Sequence, residues 1–279
     1  MKTVSILISN HNSFYAIQLC IESIRARTDY PNYQIIVHDD ESPNGVDIKY
    51  LEEAEAKGWI RLIRGNRKRW AEERETFSAQ GHPAPYWHGC AVNILINETC
   101  QTDLAMLLDC DIFIKKPDWL SCMAQSIEDD TLVVAAEWPP HWQSPGNCVP
   151  GWYRPSFCMI NMKAYHDGME VDWRGGSANL CDEPYKTLMR AIIDKGNQSL
   201  LDQNCVRWDP GTSLWIKMLI DNPKQYKAKS FPGGMEQKFH HFGQLSVRLT
   251  GVVETPDKLL PSEELELMRS EFAKLRGIA

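Results

Sequence analysis

The sequence predicts an α/β fold, and two observations support this prediction. Short apolar runs that suit buried strands alternate with segments of helical periodicity, beginning at the first residues. Strands and helices that alternate in this way form sheets that are largely parallel. With 279 residues, the chain is long enough for one large domain or for two closely merged halves.

The elements follow each other regularly in the first half of the chain. We predict strands at 4–8, 34–37, 59–63, 104–108 and 131–136, and helices at 17–24, 46–57, 88–99 and 117–127, with Pro117 at the first helical position. Residues 64–87 interrupt this rhythm, and we expect a long loop or a partly helical insertion there, or alternatively a solvated surface excursion. In the less regular second half we predict strands at 156–161 and 213–220, and helices at 184–195 and from Ser262 onward.

Composition excludes several classes of protein. The formal net charge of -7 argues against nucleic acid as a partner, because nucleic-acid-binding proteins normally present a basic surface. Nine cysteines without a Cys-x-x-Cys pair suit neither a disulfide framework nor a zinc ribbon. No apolar run reaches the roughly 20 residues of a transmembrane helix or resembles a signal peptide. We therefore expect a cytoplasmic protein that is able to associate peripherally with a membrane.

The most informative motif is the triplet Asp109-Cys110-Asp111, which follows the apolar run 104–108. Successive side chains of an extended chain alternate between faces, so Asp109 and Asp111 are predicted to point the same way and Cys110 into the protein. Two such carboxylates can share a hard divalent cation, Mg²⁺ or Mn²⁺, that keeps coordination sites for phosphate oxygens. The motif therefore indicates a site for a diphosphate.

Two further polar loops follow predicted strands. Ser9, Asn10 and their neighbours follow the first strand, and Asp39-Asp40-Glu41-Ser42 follows the second. Ligands of open α/β sheets bind outside the carboxyl ends of strands, where the strand order switches direction, so these loops and the Asp triplet are expected to meet. The alternative for Asp40 is turn or helix capping.

Four segments in this order resemble glycosyltransferase family 2, the inverting transferases of the GT-A fold. They are the loops that begin at Ser9 and at His38, the stretch His88-Gly89-Cys90-Ala91-Val92-Asn93, and Leu108-Asp109-Cys110-Asp111. The resemblance covers residues 1–125 well and the remainder loosely. It implies a Rossmann-like, nucleotide-binding mixed sheet flanked by helices, with a less regular acceptor-binding C-terminal half.

The resemblance also implies roles for individual residues. Asp40 would contact the nucleotide base, Ser9 the nucleotide, Asp109 the ribose or a metal-bound water, and Asp111 the metal. The complete set expected to bind the nucleotide sugar is Ser9, Asn10, Asp39, Asp40, Asn93 and Asp109, and the expected metal ligands are Asp109, Asp111 and His241. His241 enters this set because Phe239-His240-His241-Phe242-Gly243 and the residues that follow resemble the stretch with which some GT-A enzymes complete the metal site.

Alternatives remain open for the neighbouring histidines His240 and His241 and for the catalytic base. Sequence register favours His241 over His240, and imidazole suits Mn²⁺ better than Mg²⁺; one of the two could instead be a core histidine. The general base is expected at Asp182, with Glu183 second, just before the helix that Pro184 would begin. Both acids could instead cap that helix.

Acceptor binding is expected from aromatic loops, since ring faces stack on the C–H surface of sugars. The first candidates are Trp138, His141 and Trp142, and the second are Trp152, Tyr153 and Trp173. Some of these side chains will be structural.

The sequence thus predicts a metal-dependent inverting glycosyltransferase that moves a sugar from a nucleotide-diphosphate donor, UDP-linked by preference, to a hydroxyl of a glycan or related acceptor. Residues 1–115 would bind the nucleotide sugar, 116–255 would bind the acceptor and complete the metal site, and 256–279 would form a C-terminal helix. One alternative is a sugar nucleotidyltransferase, although 9–12 lack the glycines that its phosphate loop requires. The other is a non-catalytic glycan-binding protein on the same fold.

Overall fold

The computed structural model describes residues 1–42, 45–66, 68, 86–137, 153–174, 176–179, 186, 205–208, 211–241 and 262–277. Eleven strands are found among them: β1 Val4–Asn10, β2 Tyr33–Asp39, β3 Arg61–Arg64, β4 Leu104–Asp109, β5 Ile112–Ile114, β6 Thr131–Glu137, β7 Tyr153–Asn161, β8 Gly176–Asn179, β9 Cys205–Trp208, β10 Lys227–Ser230 and β11 Phe239–His241.

The helices among these residues flank the strands. They are α1 Phe14–Ala26, α2 Val46–Ala56, α3 Tyr86–Asn93, α4 Trp119–Gln125, α5 Met162–Ala164, α6 Thr212–Ile220 and α7 Ser262–Leu275. Helix α3 continues as a π-helix, Ile94–Thr99, and α5 continues as a second one, Tyr165–Met169; a 3₁₀ turn lies at Met235–Gln237. No helix among the described segments combines the length and the apolar character needed to cross a bilayer.

Seven strands form the central sheet in the order β10-β6-β7-β4-β1-β2-β3. Neighbouring strands are parallel except that β7 runs antiparallel to both β4 and β6. Two small antiparallel sheets, β5 with β11 and β8 with β9, stand beside it. The structure thus confirms the predicted α/β class and the mixed sheet flanked by helices.

Side chains alternate between the two faces of the central strands, and each face builds a hydrophobic core. On β1, Ile6 and Ile8 pack with α1, α2 and α4 on one face, while Leu7 packs with the π-helical turn after α3 on the other. Fully buried strands of this kind read as continuous apolar runs, which is why the sequence reveals them. The described cysteines are all unpaired, and most are buried, as the composition predicts.

One predicted strand and the predicted start of one helix are wrong. Residues 213–220, predicted as a strand, belong to helix α6, in which Leu214 and Ile216 are buried. A short apolar run does not distinguish a strand from a buried helical segment, and its Leu, Met and Lys residues favour a helix. Pro117 does not occupy the first helical position, since α4 begins at Trp119 with Asp118 at the N-cap, whose carbonyl accepts a hydrogen bond from the Cys122 N–H at 3.0 Å.

Candidate functional site

The predicted loops meet where the strand order changes direction. Strand β1 lies between β2 and β4, so the chain proceeds one way from β1 to β2 and β3 and the other way to β4. Ser9 of β1 is in register with Asp109 of β4 and with His38 of β2, while Asn10 is in register with Asp39. The carboxyl ends of three neighbouring parallel strands thus form one edge, which is the usual ligand position in open α/β sheets.

Asp109, Asp111 and His241 form a compact group at this edge. One ligand atom from each lies within 4.8 Å of the others. His241 Nε2 is 3.1 Å from Asp111 Oδ1 and 3.7 Å from Asp109 Oδ2. His241 reaches the pair because β11 pairs with β5, directly after the triplet, with His241 opposite Ile112.

The two carboxylates converge for a different reason from the one that strand alternation suggests. Strand β4 ends at Asp109, and Cys110 and Asp111 form a tight turn into β5. The turn, rather than a continuing strand, brings Asp111 back beside Asp109. The expected inward position of Cys110 is observed: it is 5% exposed, and the Ser13 hydroxyl lies 3.1 Å from its Sγ.

The electrostatics of the group favour a cation. Burial and then repulsion by Asp111 raise the pKa of the Asp109 carboxyl, while the rings of His88 and His241 act in the opposite direction. Asp109 keeps about a third of its side chain exposed, 31%, whereas the side chain of Asp111 is 4% exposed. Two carboxylates that repel each other beside a partly open position are stabilised by a positive charge placed between them.

The donor set fits a divalent metal ion. Two carboxylate oxygens and one imidazole nitrogen are ligands for Mn²⁺, and the oxygens alone suit Mg²⁺. If a metal binds here, Asp109, Asp111 and His241 would hold it and the remaining coordination positions would be filled by water or ligand oxygens. His240, one residue earlier, alternates to the other face of β11 and is not part of the group.

Asp39 and Asn10 belong to a buried hydrogen-bond network. Asn10 Nδ2 donates to Asp39 Oδ1 at 2.7 Å and to Asp47 Oδ2 at 3.2 Å, and the Ser42 hydroxyl donates to Asp39 Oδ1 at 2.6 Å. Asp47 also accepts a hydrogen bond from the Ser13 N–H at 2.7 Å. This network fixes the loops after β1 and β2 against each other.

Asp40 directly follows Asp39 in the chain. Its backbone N–H donates to the Asn10 carbonyl at 2.8 Å, and its own carbonyl oxygen lies 2.9 Å from Nδ1 of His11. The segment after β3 lies close to this loop: a Cβ added at Gly65 would be 2.8 Å from the backbone carbonyl oxygen of Asp39 and 3.0 Å from the Asp40 Cα. Residues 39–40 are therefore held by backbone contacts from two neighbouring segments.

Two further predicted residues, Ser9 and Asn93, take part in the contacts of helix α3. The Ser9 hydroxyl lies 2.8 Å from Nδ1 of His88, within that helix. Asn93, at its end, donates to Asp172 Oδ1 at 2.8 Å and accepts from the Trp173 N–H at 2.8 Å. In the structure Asn93 thus ties α3 to segment 172–174, and its contact with a nucleotide sugar stays a prediction.

Gly89 explains why this attachment is so close. A Cβ at Gly89 would lie 2.4 Å from the Arg174 Cα and 2.6 Å from the Trp173 oxygen. Trp173, a candidate for acceptor binding, is 1% exposed and donates through Nε1 to the Tyr165 hydroxyl at 2.9 Å. In this structure Trp173 is a core residue.

Sequence reasoning did not single out His88 as a site residue. The signal was available, since His88 stands next to Gly89 in a segment already connected with the site, but nothing in the sequence shows that it meets Ser9. Several predictions lie outside the described residues: Asp182, Glu183, Trp138, His141, Trp142 and Trp152, most of the 64–87 insertion and most of the 184–195 helix.

Distant likenesses to solved structures are found. A mannosyltransferase from Pyrobaculum calidifontis, in complex with GDP-Man and Mn²⁺, has 13% identity and a TM-score of 0.42 over 60% of this chain and 46% of its own. S. aureus TarS 1-349 with UDP-GlcNAc has 14% identity and 0.42, over 97% and 66%. The galactosyltransferase LgtC with donor and acceptor sugar analogs has 14% and 0.44, over 81% and 72%. The chain spans less than half the length of the mannosyltransferase.

No curated protein matches the chain. A comparison with family models does give a match. Residues 5–77, which contain β1, β2 and the Asp39-Asp40 pair, match the model of Glycosyl transferase family 2. For this segment the match agrees with the enzyme class that the sequence predicts, a glycosyltransferase.

Proposed function

We propose that the protein is a metal-dependent inverting glycosyltransferase, which moves a sugar from a nucleotide-diphosphate donor, UDP-linked by preference, to a hydroxyl of a glycan or related acceptor. The observation that carries the proposal is the group Asp109, Asp111 and His241. This group lies at the edge of the sheet where the strands of the segment that matches the family model also end. A GT-A arrangement, a cytoplasmic location and peripheral membrane association are parts of the same proposal.

The donor would lie across the carboxyl ends of β1, β2 and β4. Asp40 would accept a hydrogen bond from the nucleotide base, and Ser9 would contact the nucleotide from β1. Asn10 and Asp39 would act by holding these loops, since their polar atoms are already engaged with each other. Asp109 lies next to Ser9 in the sheet, which supports a position of its carboxylate between the proposed nucleotide and the metal ion.

Asp109, Asp111 and His241 would hold Mn²⁺ or Mg²⁺. A bound divalent ion neutralises the charge that develops on a departing diphosphate and orients its oxygens. The turn after β4 and the pairing of β5 with β11 would hold these three side chains in position, so that they need not rearrange when the metal ion and the nucleotide bind. The Ser13 hydroxyl contacts Cys110, the first residue of this turn.

Transfer needs a base and an acceptor surface, and both are proposed from sequence alone. Asp182, or Glu183, would accept the proton of the acceptor hydroxyl. The hydroxyl oxygen of the acceptor would attack the anomeric carbon from the face opposite the diphosphate. The bond between the anomeric carbon and the diphosphate oxygen breaks in the same step, so the configuration inverts. Trp138, His141 and Trp142 would provide the ring faces that receive the acceptor sugar.

A screen of nucleotide sugars and of glycans tests this proposal. Each compound is added with Mn²⁺ to the wild type and to Asp111→Ala, and both the melting temperature and the release of free sugar are measured. We expect one nucleotide sugar to stabilise the wild type more than the variant, because a specific ligand shifts unfolding by mass action. If glycans stabilise the protein and no nucleotide does, the protein is a glycan-binding protein and the proposal is wrong.

A further inference from the structure

Helix α3 brings a histidine to the donor site that none of the motifs assigns. His88 is partly exposed, and its Nδ1 lies 2.8 Å from the hydroxyl of Ser9, which is itself 9% exposed. Ser9 stands in register with Asp109 on the neighbouring strand, so the two side chains share one face of the sheet. His88 thus reaches the same corner of the site as the metal group, from the helix that covers this face.

The contact with Ser9 also brings the ring of His88 toward the metal group, because Ser9 stands beside Asp109 in the sheet. His88 is nevertheless not a member of the metal group, which consists of Asp109, Asp111 and His241. A ring close to the carboxylates but outside the ligand set is suited to contact what the metal would hold.

The ring of His88 is fixed on one side and available on the other. Ser9 engages Nδ1, and Nε2 has no hydrogen-bond partner among the described residues. The helix itself is anchored, because Gly89 packs against the backbone at 173–174 and Asn93 accepts a hydrogen bond from the Trp173 N–H. A hydrogen bond at one ring nitrogen determines the role of the other, so a Ser9 hydroxyl that donates to Nδ1 leaves the ring proton at Nε2.

We propose that His88 contacts the donor, with Nε2 donating a hydrogen bond to a diphosphate oxygen of the nucleotide while Ser9 holds the ring in place. This inference rests on the proposed function. Phosphate oxygens are strong acceptors, and a hydrogen bond to a charged group contributes more than one between neutral groups. The Ser9–His88 pair thus supplies a second contact to the diphosphate besides the proposed metal ion.

The test uses the intact protein and three binding measurements. UDP and GDP are titrated in the presence of Mn²⁺, and the more tightly bound of the two is then used with His88→Gln, Ser9→Ala and the control His166→Gln; Mn²⁺ alone is titrated separately. His166 is an exposed histidine that contacts Glu170 and lies outside the site. We expect His88→Gln to lose about tenfold in nucleotide affinity, Ser9→Ala to lose less, and His166→Gln to lose nothing.

Mn²⁺ binding separates the possible causes. The proposal requires that His88→Gln bind Mn²⁺ alone like the wild type, which also shows that the variant is folded. Unchanged nucleotide affinity in His88→Gln would overturn the inference and leave the proposed function intact. Loss of Mn²⁺ binding together with the nucleotide would also overturn it, since His88 would then act on the metal group. A wild type that binds neither nucleotide would remove both proposals.

Discussion

Asp111 and His241 meet at 3.1 Å, Oδ1 to Nε2, because β5 and β11 pair in antiparallel register. The pairing places His241 opposite Ile112, the residue directly after Asp111. A residue from the second half of the chain therefore completes a group that the first half begins. The register of two short strands decides which of the two neighbouring histidines enters the site.

The first prediction concerns this choice between histidines. His241→Ala should lower the affinity for Mn²⁺ by at least about tenfold, since even groups that only orient a metal ligand contribute that much. His240→Ala is the matched control, because its side chain lies on the other face of β11. Titration with Mn²⁺ decides the matter, and a larger loss in His240→Ala than in His241→Ala would contradict this assignment.

The second prediction separates the two neighbouring acids after β2. Asp39→Asn removes a charged acceptor from the network with Asn10 and Ser42, so the free energy of unfolding should fall by roughly 1.5–3 kcal/mol. Asp40→Asn should lower the affinity for UDP, because the amide is a weaker acceptor for the nucleotide base than the carboxylate. Denaturant unfolding and calorimetry measure the two effects; if both variants lose only stability, Asp40 has no role in nucleotide binding.

The third prediction concerns the close contact of α3 with segment 173–174. Gly89→Ala places a Cβ 2.4 Å from the Arg174 Cα, so the backbone must move, at a cost of about 1–3 kcal/mol. Gly233→Ala is the control, because a Cβ there meets nothing within 4 Å. Urea unfolding compares the two variants, and equal stabilities would show that the segment yields without cost.

The fourth prediction is a pH dependence caused by His38. This side chain is 2% exposed, and neither ring nitrogen has a hydrogen-bond partner among the described residues. Burial lowers the pKa of His38 below its ordinary value of 6.5, although the charges of Asp40 and Asp39 oppose this. The unfolded chain therefore takes up a proton first as the pH falls, and stability is lost below 6.5 until the folded state is protonated as well.

The variant His38→Gln tests this dependence, because glutamine does not titrate. Unfolding free energies are measured for both proteins on either side of pH 6.5. The wild type should lose up to about 1.4 kcal/mol per pH unit more than the variant across the window below that value. Parallel curves would mean that His38 titrates alike in the folded and unfolded chain.

The sequence predicts the strands of the first half well because buried parallel strands appear as unbroken apolar runs. It also identifies Asp109 and Asp111, yet for a reason that the structure corrects: the strand ends at Asp109, and a turn returns Asp111 to the same place. Helix α6 was predicted as a strand, because eight mostly apolar residues fit either structure when their partners are unknown.

Contacts between distant segments are what the sequence does not reveal. The meeting of Ser9 with His88, and the docking of Gly89 and Asn93 on segment 172–174, depend on how α3 packs on the sheet. His241 could be proposed only through a family resemblance, because strand pairing between β5 and β11 leaves no local pattern. Register and packing are properties of the folded chain, so these relationships appear only in the structure.

The most direct test of the central claim is the calorimetric titration of UDP into the wild type and Asp111→Ala, each with Mn²⁺ and with a chelator. If the Asp109–Asp111–His241 group holds a metal ion that binds the diphosphate, Mn²⁺ should raise the affinity of the wild type for UDP by about tenfold or more and should not raise that of the variant. An affinity for UDP that is the same with and without Mn²⁺, or that Asp111→Ala retains in full, would contradict the account.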